Sequence, residues 1–335
     1  MEILRNKDNT VSKFIHKDGS ETAIKVVKSI VNEKENDNLS ISFEDRNKYS
    51  IFISVSRGCQ FKCSFCYLTL KNSQYNKLTK ENILNNLKEA FLEELSNNPS
   101  IVSIYIKLSW MVMGDAFNQP LLVKDTTIEF LEWIFENKYA KGLDGVDLST
   151  IFPNNVQNDW KSIYHSLNDY LYKYNFNPAN NKKDNIDLDF SNSFEYDNRS
   201  PFRIFYSLGT AIQENKNNII PGTKNTVKAI IELLDYSENN KYNVLLHHMF
   251  IEGLNSSEND IRAFLDLYSK IPELKKIETR ILRYNFCDLS KYKEEEDFNN
   301  IINQILPNVP NLKVQISAGS EVKAACGQFI VKVFK

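Results

Sequence analysis

Ser56-Arg57-Gly58-Cys59-Gln60-Phe61-Lys62-Cys63-Ser64-Phe65-Cys66 sets three cysteines in C-x3-C-x2-C spacing directly after the β-branched and aromatic run 49–57. Such a run, followed by a turn and an amphipathic stretch, reads as one βα unit, and the loop at the strand's end is where a barrel of these units carries its chemistry. Soft thiolates suit iron-sulfur clusters, and three of them leave one iron of a 4Fe-4S cluster without a protein ligand, open to a bound small molecule. The bland alternative is a structural zinc knuckle. Closed zinc sites want four ligands, commonly as two separated pairs, and no second pair is present.

Outward from the triplet the same alternation repeats. Strands are expected at 49–57, 101–112, 145–150, 202–208, 243–251 and 277–284, and helices at 79–96, 125–138, 156–172, 224–237, 257–270 and 294–306, several opened by Thr, Ser or Asn as N-caps. Six units predict an α/β fold, a partial (β/α)6 TIM-like barrel over 49–335. Residues 1–48 differ: Glu21 to Val31 and Leu39 to Phe43 alternate polar and apolar, which predicts a small antiparallel β extension. The stretch 174–201, rich in Asn, Asp, Ser and Lys, reads as a surface insertion.

A chain of 335 residues that is 42% hydrophobic has enough apolar mass for one large core. Its 41 Lys+Arg against 43 Asp+Glu give no bulk field for a nucleic acid or a membrane, so any RNA contact has to come from a local patch. Lys270, Lys275, Lys276, Arg280, Arg283, Lys291 and Lys293 form one candidate patch, with Glu273, Glu278 and Glu294 to Glu296 nearby to cancel it. The opening residues lack the apolar core of a secretory signal, and the longest apolar run, Ile101 to Gly114, carries Lys107, so no membrane partner is expected. Three of five cysteines packed within eight positions point to a metal site in a reducing cytoplasm rather than to a disulfide framework. His247 and His248 fall on opposite faces of one strand and read as structural.

The triplet resembles the radical S-adenosylmethionine superfamily, in which the open iron chelates that cofactor; Phe65 matches the aromatic placed beside its adenine. Gly319-Ser320-Glu321-Val322-Lys323-Ala324-Ala325-Cys326-Gly327-Gln328-Phe329 resembles the end of the RNA adenine methyltransferases that act on carbon 2 of ribosomal and transfer RNA, and of their antibiotic-resistance relatives that act on carbon 8. The resemblance runs from about residue 37 to residue 329. It implies a 4Fe-4S cluster on Cys59, Cys63 and Cys66, S-adenosylmethionine as cofactor, and Cys326 as the carrier of the transferred methyl group. It also assigns Gly114 and Asp115, in Val112-Met113-Gly114-Asp115, to the cofactor's amino group. Ser149, Ser207 and Asn285, in Leu148-Ser149-Thr150, Tyr206-Ser207-Leu208-Gly209 and Tyr284-Asn285-Phe286, match further cofactor-binding strand ends. Counting back from Arg46 places a general base at Asp37. RNA and an electron donor such as flavodoxin or ferredoxin are the implied partners.

Two departures from the family stand out. Only a few dozen residues precede the expected barrel, where the family has an RNA-binding domain, and the position of its second catalytic cysteine is Phe52 here. Cys287, two residues beyond Asn285, is the remaining thiol outside the cluster that would be available to resolve a covalent adduct; its bland reading is an inert packed side chain. The competing functions are a radical methyltransferase of a protein side chain or small molecule, and a non-catalytic metal-cluster module that binds RNA.

Overall fold

The computed structural model describes residues 1–27, 47–99, 104–174, 200–237, 244–285 and 289–315. Asp37, Cys287, Cys326 and nearly all of the expected insertion lie outside these residues. Ten strands form one sheet in chain order: β1 (Glu2–Arg5), β2 (Val11–Ile15), β3 (Glu21–Val27), β4 (Asn47–Ile53), β5 (Ile104–Trp110), β6 (Gly142–Thr150), β7 (Phe202–Ser207), β8 (Val244–His248), β9 (Thr279–Leu282) and β10 (Leu312–Gln315). The first four pair antiparallel. From β4 to β10 every pairing is parallel.

Parallel neighbours need a crossover, and helices supply it. These are α1 (Lys80–Asn97), α2 (Pro120–Glu136), α3 (Trp160–Leu171), α4 (Gln213–Ile219) with α5 (Thr226–Ser237), α6 (Glu258–Lys270) and α7 (Phe298–Ile305). Their starts are written locally. Thr79 and Asn82 form a capping box on α1, Ser257 and Asp260 another on α6, and Pro120 fills the first turn of α2, where its missing N–H costs nothing. The result is six βα units and a closing seventh parallel strand, an open (β/α)6 barrel of the expected class.

The outer face of the sheet is apolar: Ile51, Ile53, Ile106, Leu108, Val146, Leu148 and Ile204 pack against Leu84, Leu87, Phe91, Phe130 and Leu131 of the helices. Phe91 meets Tyr49, Phe130, Trp133 and Tyr139 edge-on, so its truncation to Ala would cost about 3–5 kcal/mol. Strand alternation turns the intervening residues inward, and there the sequence is charged. Lys107 Nζ lies 2.7 Å from Asp147, whose other oxygen accepts from Arg203 Nε at 2.7 Å, and Lys48 pairs with Asp144 at 2.8 Å. Burial alone would raise the Asp147 carboxyl, but Arg203 and Lys107 outweigh it and hold the group at about 2. This ionic belt lies one residue layer below Ser149 on β6.

Several boundaries depart from the sequence reading. The run 49–57 divides: β4 stops at Ile53, and Ser56–Arg57 turn away to pair antiparallel with Asn76–Lys77. The run 243–251 divides likewise, with Ile251–Glu252 pairing with Lys293–Glu294. The N-terminal residues form three strands that extend the barrel sheet through β3–β4 pairing. His247 and His248 are both buried, His247 in ring contact with Phe205 and His248 with Phe250 and Phe264.

Candidate functional site

The cysteine loop leaves the sheet at the carboxyl end of β4 and is closed at its base by the Ser56–Arg57 and Asn76–Lys77 pairing. Its first turn requires glycine. Gly58 has φ +62°, and a Cβ there would fall 2.5 Å from the Gln74 carbonyl oxygen. The Gly58 N–H donates to Met113 Sδ at 3.3 Å, and the Val55 N–H donates to the Met113 carbonyl at 2.8 Å, so the segment after β5 holds the exit of β4.

Within the loop the Cys66 N–H donates to the Cys63 carbonyl at 3.1 Å, and Cys66 opens the short helix Tyr67–Leu70. The Ser64 N–H reaches the Ile219 carbonyl at the end of α4, at 2.9 Å. Cys59, Cys63 and Cys66 are all present as thiols; Cys63 is buried and the others half-buried. Phe61, Ile219 and Ile220 pack on one side of them, and Val11, Ala23, Leu68, Val112 and Met113 on the other. The N-terminal strands thus wall the loop.

This dry setting disfavours bare thiolates. Burial pushes Cys59 up to about 12, with Cys66 and Asp115 adding like-charge repulsion against the help of the Phe61 and Gly114 N–H groups. Burial likewise raises Cys63 far above the ordinary thiol value. A positively charged metal centre would supply the missing compensation and release protons on binding. Three thiolates fall one short of the four ligands of a closed zinc site, whereas a cubane cluster takes each on a different iron and leaves the fourth iron open, so the donor set fits a cluster.

Around the loop stand the expected strand-end residues. Ser149 and Ser207, at the ends of β6 and β7, are half-buried with their Oγ atoms 3.4 Å apart. Gly114 has φ +82°, and a Cβ there would sit 2.4 Å from Ser56 Oγ. Asp115 is turned inward: its carboxylate accepts from Thr150 Oγ1 at 2.9 Å, the Ile151 N–H at 2.8 Å and the Phe117 N–H at 2.9 Å. Burial raises the group to about 6 despite these three donors. In this arrangement Asp115 staples the loop after β5 to the end of β6.

Phe65 is half-buried and its ring joins Cys63 and Ile220 on one side and Tyr284, Met249 and Leu254 on the other. The Tyr284 hydroxyl donates to the Phe65 carbonyl at 3.2 Å, which brings Asn285 and the end of β9 to the cysteine loop. The structure thus gathers Cys59, Cys63, Cys66, Phe65, Gly114, Ser149, Ser207 and Asn285 at one mouth of the barrel.

Two residues at this mouth went unremarked in the sequence. Tyr284 carries no signal of its own beyond standing next to Asn285. Burial raises the Tyr75 phenol, with the nearby Cys59 adding to it, and its buried hydroxyl has no partner among the described residues. Its only signal was being the one aromatic between two lysines of a polar turn. Three of the seven cations of the basic cluster near the last unit are paired: Arg280 with Glu278, Arg283 with Glu294 at 2.8 Å and Lys270 with Asp266 at 3.9 Å. Lys275 and Lys276 lie before β9, at the opposite end of the barrel from the cysteines.

No protein-family profile matches the chain. It is 22% identical over 325 residues to the dual-specificity RNA methyltransferase RlmN of Buchnera aphidicola subsp. Schizaphis graminum, covering 96% of this chain and 76% of that protein. A probable dual-specificity RNA methyltransferase RlmN of Flavobacterium psychrophilum is 26% identical over 140 residues, 41% of this chain and 39% of that one. The crystal structure of a radical SAM methyltransferase from Sphaerobacter thermophilus superposes with a TM-score of 0.62 at 15% identity, covering 98% of this chain and 80% of that one. The structural likeness fixes the fold as an open barrel like that of this methyltransferase, and the sequence relatives are those the two cysteine motifs led to expect.

Proposed function

We propose that the chain is a radical S-adenosylmethionine methyltransferase that modifies an adenine carbon of RNA, with Cys326 as methyl carrier. One observation carries the reading: three thiols on a pinned loop at the carboxyl end of β4, on the same end of the sheet as the paired hydroxyls of Ser149 and Ser207 that close β6 and β7. The two RlmN relatives, named as RNA methyltransferases, support RNA as the substrate class.

Cys59, Cys63 and Cys66 would hold a 4Fe-4S cluster. Phe65, Gly114, Asp115, Ser149, Ser207 and Asn285 would contact S-adenosylmethionine. When bound, these cofactors supply one-electron reductive cleavage, and hence a carbon radical able to functionalise an aromatic carbon that is not nucleophilic. The protein's own part is positioning and exclusion of water. Phe61, Ile219, Ile220, Val112 and Met113 keep the thiols dry, and Tyr284 fixes the backbone beside Phe65. Asp37 would act as base and Cys287 would stand in for the thiol that Phe52 replaces. The electron comes from a carrier such as flavodoxin or ferredoxin in a reducing cytoplasm. Among the described residues no helix is long and apolar enough to cross a membrane.

Anaerobic reconstitution, iron and sulfide analysis, and nucleoside mass spectrometry test the reading. Wild-type protein should take up a 4Fe-4S cluster and form a methyladenosine in RNA; Cys326→Ala should keep the cluster and form none. Failure to bind a cluster overturns the assignment, and product from Cys326→Ala overturns the carrier.

A further inference from the structure

The cysteine loop carries a charge pattern that its ligand role does not need. From Ser56 to Lys80 the sequence holds five cations, Arg57, Lys62, Lys71, Lys77 and Lys80, and no acid, in a chain whose net charge is −2. Lys80 pairs with Glu129. Arg57, Lys62, Lys71 and Lys77 are exposed, and among the described residues no ion pair neutralises them. Arg57 lies over the neighbouring turn, its Nε 2.8 Å from where a Cβ on Gly19 would stand. The acid of that turn, Asp18, already accepts from Ser20 and Asn86.

The residues between these cations are Gln60, Asn72, Gln74 and Asn76, all exposed. The loop's exposed residues from Arg57 to Lys77 are therefore charged or amide, with Leu70 and Tyr75 half-buried between them, while Phe61, Leu68 and the cysteines pack into the core. Protein interfaces are enriched at their centres in aromatic side chains and depleted in Lys. Lysine, arginine and amide donors beside a single half-buried tyrosine are the chemistry of phosphate and sugar contacts. The neighbouring segment at Tyr292, which shares a cluster with Phe65, differs in mixing Lys291 and Lys293 with Glu294 and the cross-strand Glu252.

We infer that the exposed cations of the cysteine loop, Arg57, Lys62, Lys71 and Lys77, dock the phosphodiester backbone of RNA and set which strand segment reaches the barrel mouth. This rests on the reading of the barrel mouth as an RNA-modifying centre. Phosphate contacts fix register without reading sequence, so the loop would position the RNA while the mouth selects the base.

The test is equilibrium binding of a short fluorescein-labelled RNA oligonucleotide to the reconstituted full chain, followed by anisotropy across a salt series. The Arg57→Gln/Lys71→Gln/Lys77→Gln variant should lower the log–log salt slope by about 2, since each phosphate contact on a single strand contributes roughly 0.7. Lys275→Gln/Lys276→Gln should leave the slope unchanged, and equal melting temperatures verify that both variants are folded. A triple variant with wild-type slope overturns the inference. So does a wild-type slope joined to slower cluster reduction by flavodoxin, which would reassign the face to the electron carrier. Failure of the enzymatic reading shows separately, as wild-type protein that binds RNA with the expected slope yet does not cleave S-adenosylmethionine with dithionite.

Discussion

Replacing Lys216 with Met should remove a rise in folding stability above neutral pH. Lys216 lies on α4 with its side chain fully buried, and its Nζ donates to the Tyr206 hydroxyl at 2.9 Å and to Thr226 Oγ1 at 3.0 Å. Burial lowers the ammonium from 10.5 to about 7. Below about pH 7 both folded and unfolded chains carry the proton, and the cost of burying the charge is complete. Between about 7 and 10.5 the unfolded chain binds one proton more, so stability rises with pH by about 1.4 kcal/mol per unit. From about pH 7.5 to about pH 9 the wild type should therefore gain about 2 kcal/mol over Lys216→Met. Urea unfolding followed by tryptophan fluorescence reads the difference, with other titrating groups cancelling between the two proteins. The residue bears on the site because α4 ends at the Ile219 carbonyl that holds the cysteine loop. Parallel stability profiles in the two proteins would refute a charged, desolvated Lys216.

Other perturbations probe the mouth itself. Asp115→Ala leaves the Ile151 and Phe117 N–H groups and the Thr150 hydroxyl without their acceptor, and should destabilise by about 3 kcal/mol or more in chemical denaturation; a loss under about 1 kcal/mol would mean the staple is incidental. Gly58→Ala forces a Cβ against the Gln74 carbonyl at positive φ, and iron analysis after reconstitution should find reduced cluster loading with the barrel still folded by circular dichroism. Ser207→Ala and Asn285→Ala should each weaken S-adenosylmethionine binding by about 1–3 kcal/mol in calorimetry, and unchanged affinity in both would remove them from the cofactor site.

The barrel was legible because six strands are bounded by caps and turns that act locally, as Thr79 and Ser257 do. The seventh strand was not, because Leu312-Lys-Val-Gln is short and none of its residues is buried, leaving no period to read. Strand β2 hid for the opposite reason: Lys13, fully buried on Glu21 at 2.9 Å, breaks the rule that charge marks solvent. The thiol ligands could be read from spacing, which is local. What holds them, the Tyr284 hydroxyl on Phe65 and the Ile219 carbonyl on Ser64, joins residues up to 219 positions apart and leaves no trace in sequence order. Asp115 shows how far a motif reaches: resemblance places it at the mouth, but only geometry reveals that Thr150, Ile151 and Phe117 occupy its oxygens.

The belt of Lys107, Asp147 and Arg203 inside the barrel constrains how this lineage can drift. Removing one member of a buried ionic group strands the others at a cost of about 3–5 kcal/mol, a large part of the whole stability of a folded domain, whereas exchanging the group together for apolar side chains of similar volume can be neutral or better. Descendants can therefore keep the belt or lose it entirely, but the intermediates between those states sit close to the limit of folding. The three positions should be inherited as a block, changing in concert or not at all, while the surface around them diverges freely.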